Sequence, residues 1–225
     1  MICPELRHGA KGRRRRRTLA RVSSSPLRVG LTGGIASGKT LVAALLETCG
    51  APVAFADQMA RGIMEDDLSV RRALEALLGE GAYRADGTLD RPALGARLFA
   101  DEALLAQVNA IVHPAVGRAA EAWHARQEGA DYTVYESALL FETGAAESFD
   151  VVVVVHAPRL ERLRRAMARD GVEEVDVLAR MDAQLTDAER LARPAYVIVN
   201  DGSRALIPQA VELHRSLLAL AMQRG

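Results

Sequence analysis

The chain has 225 residues, of which 49% are apolar and 26% charged; this composition suits a folded domain with a sizeable core and excludes global disorder. Apolar runs such as residues 151–155 fall far short of the ~20 residues that span a bilayer, and no apolar segment of the signal-peptide type follows the basic N-terminus, so we expect no membrane partner. The 29 basic and 29 acidic residues cancel overall, but residues 1–26 hold eight of the basic ones and a single acid, which leaves 21 basic against 28 acidic residues in the remainder.

The basic segment, residues 1–26, contains five consecutive arginines at 13–17 and ends in the linker-like sequence SSSP. An arm of this kind can bind nucleic acid or an anionic surface. Because no aromatic residues alternate with the arginines, we interpret it as a solvated, disordered extension and expect no specific nucleic-acid partner. Two cysteines, Cys3 and Cys49, form neither a disulfide framework nor a metal-binding spacing, which favours a cytoplasmic protein.

The remainder, residues 27–225, alternates short apolar runs with helical patterns. Helices are predicted over 40–48, most of 58–130, 159–190 and 204–223, and strands over 27–32, 53–56, 132–139, 151–156 and 195–200. This alternation predicts an α/β fold with a five-stranded parallel sheet and helices on both faces. The stretch between the second and third strands far exceeds the dozen or so residues that a crossover needs. It therefore predicts a helical insertion at about 60–130, interrupted at 79–81, at 86–87 and at His113-Pro114.

Residues 33–40 read GGIASGKT and match the phosphate-loop pattern G-x-x-x-x-G-K-[ST] in full, between a predicted strand and a predicted helix. The backbone N–H groups of such a loop surround phosphate oxygens at a helix N-terminus. Lys39 is the only lysine in residues 27–225, and its compact ammonium fits a loop that would not admit a guanidinium. We predict that Lys39 reaches the β- and γ-phosphates of a nucleoside triphosphate and that the Thr40 hydroxyl ligates Mg²⁺. The predicted cradle comprises Gly34, Ala36, Ser37, Gly38, Lys39, Thr40 and Leu41.

Asp57 follows the second predicted strand. Because ligands of parallel sheets bind at the carboxyl ends of the strands, this carboxylate is expected close to the phosphate loop. There it can accept a proton from an attacking hydroxyl or help to hold Mg²⁺. It can equally cap the helix that begins at Gln58, and position alone leaves both interpretations open.

The segment 159–170 carries a second candidate for phosphate chemistry. On a helix, Arg162, Arg165 and Arg169 fall within about 60° of one another, and the apolar side chains of Leu160, Leu163 and Met167 fall on the opposite side. Such a stripe is either a solvated face paired with nearby acids or the charged face of a lid that neutralises a transferring phosphoryl group. Together with the phosphate loop, it predicts a lid at about 158–190.

Several separated motifs then resemble, in order, those of the dephospho-coenzyme A kinase family over roughly residues 27–215. They are LTGGIASGKT (31–40), FADQMAR (55–61), DGTLDRPALGARLF (86–99) with LLAQVNAIVHP (104–114), ESALLFE (136–142), RLRRAMARDG (162–171), RMDAQ (180–184) and VIVNDG (197–202). The pair in the insertion is the most specific of these. Phe55 stands where the family has a first aspartate, so any function shared between two carboxylates falls to Asp57.

The resemblance implies transfer of the γ-phosphoryl group of ATP to the ribose 3′-hydroxyl of dephospho-coenzyme A. It implies a single P-loop kinase domain over 27–225, with ATP and Mg²⁺ as cofactors, and we expect a monomer. Asp57 becomes the general base, Arg165 a catalytic residue of the lid and Asn200 an adenine-side residue. The implied acceptor site comprises Arg61, Arg91 and His113.

Two rival functions remain at this point. A small P-loop kinase acting on a nucleoside monophosphate would share the fold and the lid, and only the insertion at 86–114 discriminates against it. A nucleotide-gated regulator or nucleic-acid-binding module would instead use the basic segment, and its binding would weaken with salt.

Overall fold

The computed structural model describes residues 25–79, 81–193 and 196–224. The basic segment that the sequence predicts to be an extension therefore lies almost entirely outside the described residues. Five parallel strands form one sheet in the order β2-β3-β1-β4-β5. They are β1 (Leu27–Thr32), β2 (Val53–Phe55), β3 (Tyr132–Glu136), β4 (Val151–His156) and β5 (Tyr196–Val199).

The central strand β1 fixes where the site lies. Leu31 pairs with Glu136 of β3 on one side and with Val153 of β4 on the other. On β3, Glu136 also pairs with Phe55, the last residue of β2. The parallel register thus brings the ends of β1, β2 and β3 to one edge of the sheet, where the phosphate loop and Asp57 begin.

Helices cover the sheet and build the insertion. They are α1 (Lys39–Thr48), α2 (Ala56–Asp66), α3 (Leu68–Leu78), α4 (Arg91–Ala100), α5 (Glu102–Ala125), α6 (Arg159–Asp170), α7 (Glu174–Asp182), α8 (Asp187–Leu191) and α9 (Leu206–Arg224), with a 3₁₀ turn at Ala145–Ser148. Carboxylates begin several of them: Asp67, Asp90 and Asp101 each accept a backbone N–H of the following first turn.

Two of the apolar clusters among the described residues organise the sheet and the insertion. The first lies around the sheet, where Val29 and Leu31 of β1 pack with Leu46 of α1 and Leu217 of α9. The second joins the helices of the insertion, with Leu74 of α3 packed among residues of α5 that include Val108 and Val112. Because the insertion buries its own apolar side chains, it does not need the sheet for all of its packing.

Two of the predicted element boundaries differ clearly from those of the structure. β3 ends at Glu136 instead of reaching residue 139, because residues 137–143 turn to form the wall of a cavity described below. His113-Pro114 does not interrupt a helix: both residues lie inside the 24-residue α5, and the His113 side chain is exposed. A proline there removes one helical N–H donor, a loss that the long helix α5 tolerates. Among the described residues, no helix combines the length and the apolar character needed to cross a membrane.

Candidate active site

The phosphate loop connects β1 to α1 through backbone conformations that few side chains adopt. Gly38 (φ 98°) caps α1, and Ala36 (φ 56°) is left-handed as well. The Ser37 N–H donates to the Gly34 carbonyl at 3.1 Å, which closes a tight turn. The first-turn N–H groups of α1 have no carbonyl of a preceding turn to bind, so the loop presents the donor-rich helix end that an anion requires.

Lys39 lies at the base of this loop and is buried. Its Nζ donates to the carbonyl oxygens of Gly33 (3.1 Å) and Gly34 (3.3 Å) and lies 3.9 Å from Oε1 of Glu136. Burial lowers the pKa of Lys39, whereas the charges of Glu136 and Asp57 raise it. The two carboxylates therefore oppose the effect of burial and favour the charged form of this ammonium.

Glu136 is a site residue that the sequence reasoning did not single out. It ends β3 at the loop edge and is 9% exposed. Burial raises its pKa, and the neighbouring Lys39 ammonium opposes that rise. A charged residue that closes a fully buried strand at the same edge as Asp57 was the available signal. Glu136 thus places a carboxylate at this edge of the sheet, on the strand that pairs with Phe55 of β2.

Asp57 lies in the first turn of α2, not before it. The N-cap position belongs to Phe55, which makes no side-chain cap hydrogen bond, so the capping interpretation of Asp57 is wrong. Its side chain is exposed and makes no hydrogen bond or ion pair with any other described residue. Asp57 also lines the large cavity of the insertion, while its charge acts on Lys39 and Glu136. It is therefore the residue that joins the phosphate loop to the cavity.

The arginine stripe of α6 is only partly what the helical pattern predicts. Arg162 is buried: its Nε donates to the Ala157 carbonyl at 2.9 Å, and its Nη2 contacts both carboxylate oxygens of Asp187. Leu160, expected to pack on the opposite face, is 69% exposed. Arg162 is buried because its guanidinium lies against Gly34 of the phosphate loop, so this face of α6 packs on the loop.

The other two arginines of the stripe remain nearer to solvent. Arg165 donates to Glu161 at 3.0 Å and to the carbonyl oxygen of Asn200 at 3.0 Å. Arg169 pairs with its neighbour Asp170. Glu161 and Asp170 are thus nearby acids of the kind that the solvated-face interpretation requires, yet Arg165 also contacts the segment that follows β5.

Asn200 supports the phosphate loop from that segment. Its Nδ2 donates to the Ser37 carbonyl at 2.8 Å, and a side chain at Gly38 would collide with the same amide. Its backbone N–H donates to the His156 carbonyl at 2.7 Å. The residue predicted on the adenine side therefore lies beside the loop, with its amide nitrogen engaged in holding the loop in shape.

The predicted lid contacts the phosphate loop through both apolar and polar groups. Ile35 and Ala36 pack against a cluster formed by α6 and α7. The Ile35 N–H donates to Oε1 of Gln184 at 2.8 Å. Behind them, the buried Arg190 contacts Asp187 at 3.2 Å and Glu142 at 3.6 Å. Gln184 belongs to the motif RMDAQ, but the sequence predicts no role for it. Arg190 lies outside the arginine stripe of α6, so the helical pattern does not identify it.

A cavity of about 440 Å³ lies between the insertion and the end of β3. It is lined by α2, α4, α5 and the turn after β3, and most of its lining is apolar. His113 lines it, as the predicted acceptor role requires. Arg91 instead pairs with Glu65 at 2.8 Å, and Arg61 is exposed on α2; neither belongs to the cavity lining. The structure thus brings His113 and Asp57 to one cavity and places the two arginines outside it.

Comparison with known proteins finds relatives that match most of the chain. The model of the dephospho-CoA kinase family matches residues 27–205. The dephospho-CoA kinase of Geobacter sulfurreducens is 42% identical over 186 residues, which cover 82% of this chain and 94% of that protein. The dephospho-CoA kinase of Bacteroides fragilis (strain YCH46) is 38% identical over 187 residues, which cover 83% of this chain and 91% of that protein.

Solved structures share the fold. The crystal structure of TT1252 from Thermus thermophilus matches with a TM-score of 0.75 and 36% sequence identity. The match covers 88% of this chain and 98% of the TT1252 chain. The dephospho-CoA kinase from Campylobacter jejuni has a TM-score of 0.63 at 22% identity, with 85% of this chain and 97% of that one covered. The predicted α/β fold with a five-stranded parallel sheet is confirmed.

Proposed function

Because the chain belongs to the dephospho-CoA kinase family, it is an ATP-dependent kinase, and we propose that it transfers the γ-phosphoryl group of ATP to the ribose 3′-hydroxyl of dephospho-CoA. The products are ADP and coenzyme A, in the final step of coenzyme A synthesis. The observation that carries the proposal is the position of Asp57, which lines the cavity and acts electrostatically on Lys39 of the phosphate loop.

The phosphates of ATP bind the loop through backbone N–H groups between Gly34 and Leu41, and Lys39 contacts the β- and γ-phosphates. To do so, the Lys39 ammonium exchanges its contacts with the carbonyl oxygens of Gly33 and Gly34 for phosphate oxygens. The charge of Glu136 raises the pKa of Lys39 against the effect of burial and so favours the ammonium form. The loop thereby positions the γ-phosphoryl group at the edge of the sheet where Asp57 lies.

Mg²⁺ fits this donor set with few protein ligands. Thr40 is exposed in the first turn of α1, next to Lys39, and its hydroxyl is a hard oxygen donor. Among the described residues, no group of three or more His, Cys, Asp or Glu side chains could hold a metal ion. A magnesium ion held by Thr40 and nucleotide oxygens agrees with that finding, since Mg²⁺ in kinases retains several waters. When bound, the ion supplies charge neutralisation at the phosphates.

Asp57 acts as the general base. Its carboxylate accepts the proton of the 3′-hydroxyl as that oxygen forms a bond to the γ-phosphorus. The bond between that phosphorus and the β–γ bridging oxygen breaks, and ADP leaves with the electron pair. The exposed, unpaired carboxylate suits this role because no other described side chain competes for its oxygens. Positioning and charge neutralisation supply most of the remaining catalysis.

The segment at about 158–190 acts as a lid, and the segment at about 60–130 binds the acceptor. In the lid, Arg165 exchanges its contact with the Asn200 carbonyl for the transferring phosphoryl group, and the buried Arg162 holds the phosphate loop from below. Asn200 borders the adenine side. His113 contacts the acceptor in the cavity, while Arg61 and Arg91 bind its charged portion outside the apolar lining.

A substrate assay tests the proposal directly. Production of ADP, coupled to NADH oxidation, is followed with dephospho-CoA, AMP, CMP and UMP as acceptors. We expect the highest kcat/KM with dephospho-CoA, because the cavity gives its tail apolar surface that the three monophosphates cannot fill. Preference for any of the monophosphates would support the rival kinase instead.

In this proposal the protein is a monomer in the cytoplasm. Cys49 is a free thiol, which is typical of a reducing compartment. Deleting residues 1–26 tests the nucleic-acid alternative: kinase activity is expected to be unchanged. Salt-dependent nucleic-acid binding that disappears with this deletion would support the alternative.

A further inference from the structure

Gln184 is a polar side chain of the lid to which the phosphoryl transfer described above assigns no role. It lies in the connector between α7 and α8 and is not among the residues that line the 440 Å³ cavity. Its backbone N–H donates to the Met181 carbonyl at 3.2 Å, and Arg190 donates to the carbonyl of the next residue, Leu185, at 2.9 Å. Because Met181 and Arg190 are both buried, the connector is anchored on both sides of Gln184.

The two ends of the Gln184 amide contact two different parts of the site. Oε1 accepts the Ile35 N–H of the phosphate loop at 2.8 Å. Nε2 lies 3.5 Å from the carbonyl oxygen of Ala138, a residue that lines the cavity. Since a backbone N–H can only donate and a carbonyl can only accept, these two partners determine the orientation of the amide, with its oxygen toward the loop and its nitrogen toward the cavity wall.

A second hydrogen bond joins the same connector to the same turn. The Leu185 N–H donates to Oε1 of Glu142 at 3.0 Å, and Glu142 belongs to the turn at residues 137–143, which supplies Ala138 and Thr143 to the cavity lining. The 3.5 Å contact of Gln184 is at the long end of the hydrogen-bond range, but the Leu185 bond holds the two segments together beside it. The phosphate loop and the cavity wall are therefore both tied to one short connector.

We propose that Gln184 is a positioning residue that couples the two substrate sites: a nucleotide that orders the phosphate loop also orders the cavity wall at Ala138, through the Gln184 amide. This rests on the proposed function, which places ATP on the loop and dephospho-CoA in the cavity. The second substrate then binds a wall that has already lost its freedom of motion, so it binds more tightly. The coupling is reciprocal, because each substrate must change the affinity for the other by the same factor.

Calorimetric titration of the full-length protein with dephospho-CoA tests this coupling. The Kd is measured without nucleotide and with a saturating, non-hydrolysable ATP analogue and Mg²⁺. We expect the analogue to lower the Kd of the wild type about fivefold or more. Gln184→Met removes both amide contacts at nearly constant side-chain length, and we expect the analogue to lower its Kd less than about twofold.

Gln127→Met is the matched control. The Gln127 amide donates to the Trp123 carbonyl at 3.1 Å, and neither residue lines the cavity, so this variant should keep the coupling of the wild type. Equal coupling in the wild type and Gln184→Met would overturn the inference, as would a wild-type Kd that does not respond to the analogue. A wild type that neither binds nor phosphorylates dephospho-CoA would instead refute the proposed function, so the two failures are distinguishable.

If Gln184→Met does not fold, hydrogen exchange of the wild type decides. With the ATP analogue alone, the backbone amides of residues 137–143 should exchange about threefold more slowly or less rapidly still, because ordering the loop orders the turn. Exchange of this turn that is the same with and without the analogue would overturn the inference.

Discussion

The phosphate loop and the 440 Å³ cavity meet at Asp57, yet they are built in opposite ways. The loop is a contiguous segment whose donors are backbone N–H groups, and its shape depends on glycines and on supporting contacts from Arg162 and Asn200. The cavity is assembled from side chains of three helices and a turn that are far apart in the sequence. The hydrogen-bond donors of the loop therefore come from one short segment, whereas the apolar lining of the cavity comes from side chains in distant parts of the chain.

Removing the carboxylate at the junction should have the largest effect. We expect Asp57→Asn to lower kcat by about a thousandfold, in the range for a lost general base, while ATP affinity stays near normal because the loop is intact. Single-turnover kinetics and calorimetric ATP titration measure both. Asp66→Asn, an exposed change at the end of the same helix, is the control. Wild-type turnover in Asp57→Asn would mean that the base lies elsewhere.

The loop itself is tested by Lys39→Ala. Because the ammonium acts on phosphates in both the bound and the transition state, we expect weaker ATP binding and a kcat lower by about a hundredfold or more. Steady-state kinetics with varied ATP reports both parameters. The KM for the acceptor should change little, since Lys39 is not among the residues that line the cavity. Kinetics identical to those of the wild type would remove the loop from the mechanism.

The two regions should also differ in their tolerance of a single methyl group. A Cβ at Gly34 would collide with the buried guanidinium of Arg162, whereas a Cβ at Gly95 of α4 meets nothing within 4 Å. We expect Gly34→Ala to cost about 1–3 kcal/mol of unfolding free energy and Gly95→Ala to be neutral or to add up to about 1 kcal/mol. Urea denaturation measures both. Equal changes at the two sites would contradict the tight packing beneath the loop.

The smallest expected effect is the pH dependence contributed by the cavity. Because the pKa of His124 is lowered from 6.5 by burial, the unfolded chain binds this proton more readily than the folded protein does. The stability contributed by the neutral ring is therefore present above pH 6.5 and is lost as the pH falls below that value.

Thermal unfolding from pH 7.5 to pH 5 should reveal this loss. The Tm of the wild type should fall by a few degrees relative to that of His124→Gln over this interval, since glutamine does not titrate. If the Tm changes with pH in the same way in the two proteins, the His124 ring has the same pKa in the folded and unfolded states.

Much of the fold could be predicted because the signals are local. The run of five valines at 151–155 predicts a strand, and the structure has β4 there. The sequence GGIASGKT lies between β1 and α1, as the phosphate-loop pattern requires. Element ends were less predictable: α5 continues through His113-Pro114 because packing of its apolar face against α3 and α4 outweighs the lost donor at Pro114.

The candidate site divides in the same way. The phosphate loop, Asp57 and the lid arginines could be selected from spacing and resemblance, and the dephospho-CoA kinase family follows from them. Glu136 and Arg190 could not, because each becomes meaningful only through a neighbour distant in sequence: Lys39 for Glu136 and Glu142 for Arg190. Local sequence determines backbone conformation and helical faces, but burial and the pairing of charges depend on which segments the sheet brings together, and that was decided only by the tertiary structure.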